Sequence, residues 1–245
     1  MKLRIVFMVL SMLFILSCKK AENRGCFKSY GAVTEIEFNI DSVQEFRLFK
    51  GIVYNLYQDT LRKIIIKGGA NVIGFVGVNQ ENYTVSINNL NSCNFLRKYD
   101  DKITVEIHYP HYKSIYAEPT ENMKFVDTLR GDETKIELRN GGANLELCVD
   151  VNKLYLDVTL GTGSINVAGR TNYLKLATLN LGRINALNIL ADEMFIYQHS
   201  ATDMRVNLTN SNVKVYFGGN GDVRYIGEPA LLEISGEGDG EVITF

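Results

Sequence analysis

The chain has 245 residues, 46% hydrophobic and 22% charged, with 21 glycines against 3 prolines and a formal net charge of −2. That is the make-up of a folded chain able to bury roughly 70% of its unfolded surface without metals or a dense disulfide framework. The slightly acidic balance excludes the usual nucleic-acid binder, which carries a basic excess to displace counterions from phosphates.

The first segment, MKLRIVFMVLSMLFILSC, opens with Lys2 and Arg4 and continues as an apolar run from Ile5 to Leu16. At about 12 residues the run is short of the roughly 20 that a membrane-spanning helix needs. Residues 1–17 therefore read as a secretion signal of bacterial type. Cys18, closing ILSC, reads as the acylated first residue of a lipoprotein, with an ordinary cleaved signal as the alternative. Two or three acyl chains, at about 0.8 kcal/mol per buried CH₂, hold a protein durably on a membrane. Residues 18–30 would then be a polar tether for an outer-membrane lipoprotein, either periplasmic-facing or surface-exposed. Cys26, Cys93 and Cys148 remain, an odd number in an oxidising compartment. Cys26 lies near the new terminus and Cys93 in the turn-rich NSCNFLRKYDD, so these two pair more readily than Cys148 within LELCVDV; three buried unpaired thiols are the other arrangement.

Along the chain, helix is nearly absent. A short turn around DSVQEF is the one candidate, and FRLFKGIVYNLYQ, RKIIIKGGANVIGFV, YTVSINNLN and KITVEIHY read as strands broken by Gly, Asn and charged turns. From Thr134 onward a repeat takes over. Ile136, Leu156, Leu176, Ile196, Val215 and Ile234 follow one another at 20, 20, 20, 19 and 19 residues. Thr134, Leu154, Leu174, Met194, Val213 and Leu232 form a second column two residues earlier, and Leu145, Ile165, Ile184, Met204, Val223 and Val242 a third. A period near 20 with two short strands per coil predicts an all-β chain wound as a parallel β-solenoid (β-helix), with an irregular N-terminal part. The glycine pairs Gly161/Gly163, Gly219/Gly221 and Gly236/Gly238 fall between the strands, where the backbone must turn sharply. Residues 31–245 are expected to form one elongated domain; two packed all-β halves divided near residue 130 are the competing arrangement.

Catalytic chemistry finds little purchase. Glu137 and Asp157 take equivalent outward positions in adjacent coils, about 5 Å apart, as a retaining glycosidase would require. Lys135 and Lys175 flank them, and a charged surface ladder is the preferred account over a polysaccharide-active enzyme. His108, His111 and His199 sit beside no nucleophile, and HYPHYK reads as a surface loop rather than a metal or cofactor site. GGNGD at 218–222 departs from a calcium-binding nonapeptide in length and period, so Asp222 is expected to bond its own turn. The outward columns are more promising. Tyr155, Lys175, Phe195, Tyr197, Lys214 and Tyr216 would form a strip of aromatic and ammonium groups, either a surface for a glycan or protein ligand or simply rungs that stabilise neighbouring strands. Glu237, Asp239 and Glu241 would discourage edge pairing of the last coil.

FRLFKGIVYNLYQ, IIIKGGANVIGFV, YTVSINN and GDVRYIGEPALLEISGEGDGEV together resemble the auto-transporter adhesin, head GIN domain family, over most of the chain from about residue 44. The resemblance implies a right-handed β-helix, an envelope location of the kind found in Bacteroidota-type lipoproteins, and an adhesive role without catalytic residues. The GCFKSYG start and the NSCNFLR loop resemble a subgroup with a Cys in each, which implies a Cys26–Cys93 bond. The coil EMFIYQHSATDM departs from the pattern in lacking the glycine turn.

Overall fold

The computed structural model describes residues 29–92 and 101–245. Cys18, Cys26 and Cys93 lie outside the described residues. The strands of the first part are β1 (Val33–Asn39), β2 (Glu45–Leu48), β3 (Val53–Tyr57), β4 (Lys63–Gly69), β5 (Val76–Glu81), β6 (Thr84–Asn89), β7 (Thr104–His108), β8 (Ser114–Ala117) and β9 (Met123–Phe125). Those of the regular part are β10 (Leu129–Leu138), β11 (Asn144–Val158), β12 (Ser164–Asn180), β13 (Arg183–Ser200), β14 (Met204–Asn207), β15 (Asn212–Phe217), β16 (Val223–Ile226), β17 (Leu231–Gly236) and β18 (Val242–Thr244). They wind into a β-solenoid of about 7 turns with coils of about 20 residues.

The apolar columns stack as the period predicts. Ile136, Leu156, Leu176, Ile196, Val215 and Ile234 are successive register partners in parallel pairs. The column from Thr134 to Leu232 follows in the same pairs. Alternation places one face of each strand inside, and the strand corner is made by a slip of that alternation. Val151 and Leu154 both point inward while Asn152 and Lys153 both point out. The same slip recurs at Asn172–Tyr173 one coil further and at Asp192–Glu193 two coils further. Thr134, the one polar member of the second column, is buried with its hydroxyl donating to the Tyr112 carbonyl at 2.7 Å.

Glycine at the opposite corner serves two different needs. Gly161 has φ +91°, and a Cβ there would lie 2.4 Å from the carbonyl oxygen of Gly141 in the coil below. Gly163 is in ordinary space, its Cβ position 3.5 Å from the Ala143 carbonyl. In the coil without glycines, side chains close the corner instead. Buried Gln198 donates through Nε2 to the carbonyls of Thr202 (2.7 Å) and Asp222 (3.2 Å) and accepts the Thr178 hydroxyl. Ser200 Oγ lies 2.9 Å from the Asn180 carbonyl, and Thr202 Oγ1 donates to the Gly182 carbonyl at 2.6 Å.

The first part is stacked out of chain order. β8 pairs in parallel with β10 on one side and β2 on the other, and β2 pairs in turn with β6; likewise β9 lies between β11 and β3, and β3 next to β7. The coil made by β2 and β3 therefore sits between the coil made by β6 and β7 and that made by β8 and β9. The parallel pairing runs continuously through residue 130. β4 lies antiparallel to β7, with β1 antiparallel outside it, and β5 antiparallel to β6. The segment DSVQEF does not form the expected helical turn: β2 begins at Glu45, and the one helical turn among the described residues is 3-10, at Ile73–Phe75. Phe46, Tyr109, Tyr112 and Phe125 pack ring against ring in this part of the core. The two tyrosine hydroxyls are partnered: Tyr109 donates to the Val43 carbonyl at 3.1 Å and Tyr112 to the Ile107 carbonyl at 2.7 Å, and burial pushes the Tyr112 phenol well above the usual range.

At the other end the last coil is uncovered. Ile234 stacks on Val215 but is 56% exposed, and Leu231 on the same strand and Phe245 in the same coil are exposed as well. Two consequences can be measured by denaturant unfolding. Leu176→Ala should cost about 2–5 kcal/mol, whereas Ile234→Ala, in the same column, should cost less than about 1 kcal/mol; equal losses would contradict an uncovered end. Gly161→Ala should cost about 1–3 kcal/mol or more through positive φ and contact with the coil below, while Gly163→Ala should stay within about 0.5 kcal/mol. Indistinguishable variants would refute the corner geometry.

Candidate binding faces

Register fixes which outward side chains meet, because a residue on one strand sits beside its equivalent one coil away. On the sheet formed by β10, β15, β17 and the second halves of β11 to β13, one outward column runs Lys135, Tyr155, Lys175, Phe195, Lys214 and Glu233. The next runs Glu137, Asp157, Ala177, Tyr197, Tyr216 and Ser235. The structure thus brings Tyr155, Lys175, Phe195, Tyr197, Lys214 and Tyr216 onto one face. Tyr197 and Tyr216 stack with centroids 5.4 Å apart and planes 13° apart, so each covers a face of the other and much of what solvent meets is ring edge and hydroxyl. The ammonium groups are also engaged, Lys175 with Asp157 at 3.1 Å and Lys214 with Glu233 at 3.2 Å.

Two members of this face escape the column pattern. Tyr173 meets Tyr155 at 5.7 Å, and His199 stacks on Tyr197 at 5.9 Å and 21°. Both could have been found by extending each outward row two residues, the step that keeps a strand residue on the same side.

Glu137 and Asp157 are register partners, as their spacing predicts. Asp157 is 7% exposed and held by Lys175, and Glu137 Oε1 accepts the Thr159 hydroxyl at 3.1 Å. Both carboxylates thus tie neighbouring side chains together. HYPHYK is not wholly a loop: His108 ends β7, stacks on Tyr57 at 4.5 Å and 6°, and has Nδ1 2.6 Å from Asp59 Oδ2, while His111 is exposed. Among the described residues no three His, Cys, Asp or Glu side chains are grouped to hold a metal.

The other outward face is built from the first halves of β11 to β13 with β14, β16 and β18. One column contains Asn144, Ser164 and Arg183; the column beside it contains Glu146, Asn166, Asn185, Arg205 and Arg224. Amides link the coils: Asn166 Nδ2 donates to Asn144 Oδ1 at 2.7 Å, and Asn185 Nδ2 to Asn166 Oδ1 at 3.3 Å. Asp222 does not bond its own turn. Its Oδ1 accepts the N–H of Glu241 in the next coil at 3.2 Å, and its own N–H goes to Asp203 Oδ1 at 3.2 Å. Stacked coils place the next backbone nearer to the carboxylate than its own turn. Arg224 Nε donates to Asp203 Oδ2 at 2.6 Å and holds that carboxyl below its ordinary range. Cys148 is on this face and exposed, not a buried thiol. At the strand corner a further ladder pairs Asp150 with both Nε (2.8 Å) and Nη2 (3.1 Å) of Arg170, and Asn172 with Asn152.

A comparison with curated proteins finds no match. Among solved structures, a putative adhesin from Bacteroides fragilis is similar at 20% identity and TM-score 0.75, over 87% of this chain and 97% of that one. A putative adhesin from Parabacteroides merdae is similar at 20% identity and TM-score 0.65, over 88% and 98%. A protein from Parabacteroides distasonis described as a putative lipid binding protein is similar at 15% identity and TM-score 0.59, over 88% and 97%. At these identities the likeness establishes the shared fold. The sequence itself matches the model of the family described as "Putative auto-transporter adhesin, head GIN domain" over residues 44–229, and the chain, stacked columns and turn glycines included, belongs to that family.

Proposed function

We propose that this protein is a lipid-anchored component of the cell envelope whose solenoid makes adhesive or scaffolding contacts through its outward strand faces, without a catalytic step. The observation that carries this reading is the continuity of the outward columns. Each extends over several coils as a nearly flat, registered surface, suited to lying against an extended polymer or another protein rather than enclosing a reacting bond. The competing polysaccharide-active enzyme needs a carboxylate pair free to protonate and attack. Asp157 is instead nearly buried and bound to Lys175, and Glu137 is engaged by Thr159.

Family membership supports the envelope setting, and the residues that would be acylated and tethered, Cys18 and the stretch through residue 30, support the lipid anchor. The described chain begins at Ser29, close to β1 on the outside of the irregular part.

The test is made in the producing cell. The full chain should take up labelled fatty acid and sediment with membranes, and Cys18→Ala should lose the label and release the body; label on the variant would refute the anchor. Glu137→Gln should leave adhesion of cells or purified protein to a glycan-coated surface unchanged, with no release of sugar fragments by either form. Fragment release by the unaltered protein that stops in Glu137→Gln would refute the non-catalytic reading.

A further inference from the structure

The amide- and guanidinium-bearing face holds a combination that its own hydrogen bonds do not use up. A carboxamide has two N–H donors and two acceptor lone pairs. In the ladder, Asn166 uses one donor toward Asn144 and one acceptor toward Asn185, which leaves one of each. Asn185, beside it, keeps its second N–H. A fixed row of side chains that both donate and accept is the complement of a row of hydroxyl groups.

The charges on this face point the same way. Arg205 is the register partner of Asn185, and Arg183 is two residues from Asn185 on the same strand, so the two exposed guanidinium groups are diagonal neighbours on adjacent strands. Like charges so placed repel. Neither forms an ion pair among the described residues. The carboxylate that lines the same groove, Asp203, is engaged by Arg224 Nε at 2.6 Å and by the Asp222 N–H at 3.2 Å. In a chain of net charge −2, this is a local pair of cations without a direct ion pair, Arg205 resting over the Phe245 ring at 6.0 Å and sharing the field of Asp203, and both present forks that fit carboxylate or sulfate groups.

The two features border one open groove of about 520 Å³, lined by Ser164, Asn166, Arg183, Asn185, Asp203 and Arg205 among others. No aromatic residue is among its lining residues, and the ring that Arg205 meets, Phe245, has that guanidinium 6.0 Å from its centroid; the lining strands β12, β13 and β14 are paired on both sides, which leaves no edge to which a peptide could add. The geometry points to a binding site for an acidic polysaccharide, with the Asn166–Asn185 amides reading sugar hydroxyls and Arg183 and Arg205 taking a uronate carboxylate or a sulfate. The assignment rests on the reading that outward faces are contact surfaces. It names a face separate from the one bearing Tyr197 and Tyr216, and a ligand class.

The experiment measures retention of the full chain, in detergent, on immobilised polygalacturonate, heparin, dextran and polyglutamate. Polygalacturonate or heparin should retain it and dextran should not, with retention falling as salt rises. The double substitution Arg183→Gln/Arg205→Gln should weaken binding about tenfold or more, and Asn166→Ala/Asn185→Ala should weaken it for the polysaccharides. Tyr197→Ala/Tyr216→Ala should leave it unchanged. Both arginines are exposed and free of ion pairs, so unchanged melting would separate lost contacts from lost fold. Retention by neither acidic polysaccharide overturns the site. So does binding indifferent to the arginine pair, or equal retention on polyglutamate that survives the asparagine substitutions. Loss in the tyrosine variant alone would overturn this site while leaving the adhesive reading standing.

Discussion

The structure depends on one constraint, that each strand residue sits in register beside its equivalent one coil away, at the roughly 4.8 Å spacing of hydrogen-bonded strands. Inside, the constraint turns a repeated apolar residue into a continuous pillar, Leu156 on Leu176 on Ile196. Outside, it makes every polar choice a choice about a neighbour. An Asp meets an Arg and pairs with it, as Asp150 and Arg170 do. An Asn meets an Asn and forms an amide ladder, and a Tyr meets a Tyr and stacks. Where arginines become neighbours, Arg224 is paired with Asp203 and Asp222, while Arg183 and Arg205 form no direct ion pair among the described residues.

The same constraint governs the corners. Stacked coils bring corner backbones into contact, so a side chain at Gly161 would collide with the coil below whatever its own φ preference. The coil ending in HSATDM shows a second solution. Its corner has no glycine; Gln198 donates to the Thr202 carbonyl within it, while Ser200 and Thr202 donate to the Asn180 and Gly182 carbonyls of the preceding coil. Such a knot is tolerable in the core only because its polar groups find partners; an unpaired one would cost about 1–3 kcal/mol.

What could be seen in the sequence follows from what a period encodes. Period gives register, so the stacking of three columns over six coils and the gathering of Tyr155, Lys175, Phe195, Tyr197, Lys214 and Tyr216 on one face were legible. Period says nothing about the order in which coils are laid down. The insertion of β2 and β3 between neighbours that are distant in sequence was therefore invisible, although each segment was recognisable as strand. Nor does a column show how its side chains turn. That Tyr197 and Tyr216 would cover each other, and that Asp222 would reach the next coil instead of its own turn, depends on coil-to-coil distances that the sequence does not contain. The ladder from Asn144 to Asn185 was within reach of the same column arithmetic, but asparagines read first as turn residues.

A solenoid of this kind separates stability from recognition by direction. Inward residues carry the packing and tolerate little change in volume, while outward residues, apart from their ladders, contribute little to folding and can be replaced without disturbing the coil. That separation lets the two outward faces differ in chemistry, one aromatic and ammonium-bearing with Lys175 and Lys214 in ion pairs, the other rich in amides with two guanidinium groups outside any ion pair among the described residues. It also bears on catalysis. A reacting pair must be held apart from other partners at a fixed distance, whereas register on a flat sheet surrounds each carboxylate with neighbours at hydrogen-bonding range, as Lys175 surrounds Asp157 and Thr159 meets Glu137. The architecture that makes contact surfaces easy to vary thus sets ionisable side chains beside neighbours that can engage them, as it does for Asp150 with Arg170 and Asp157 with Lys175.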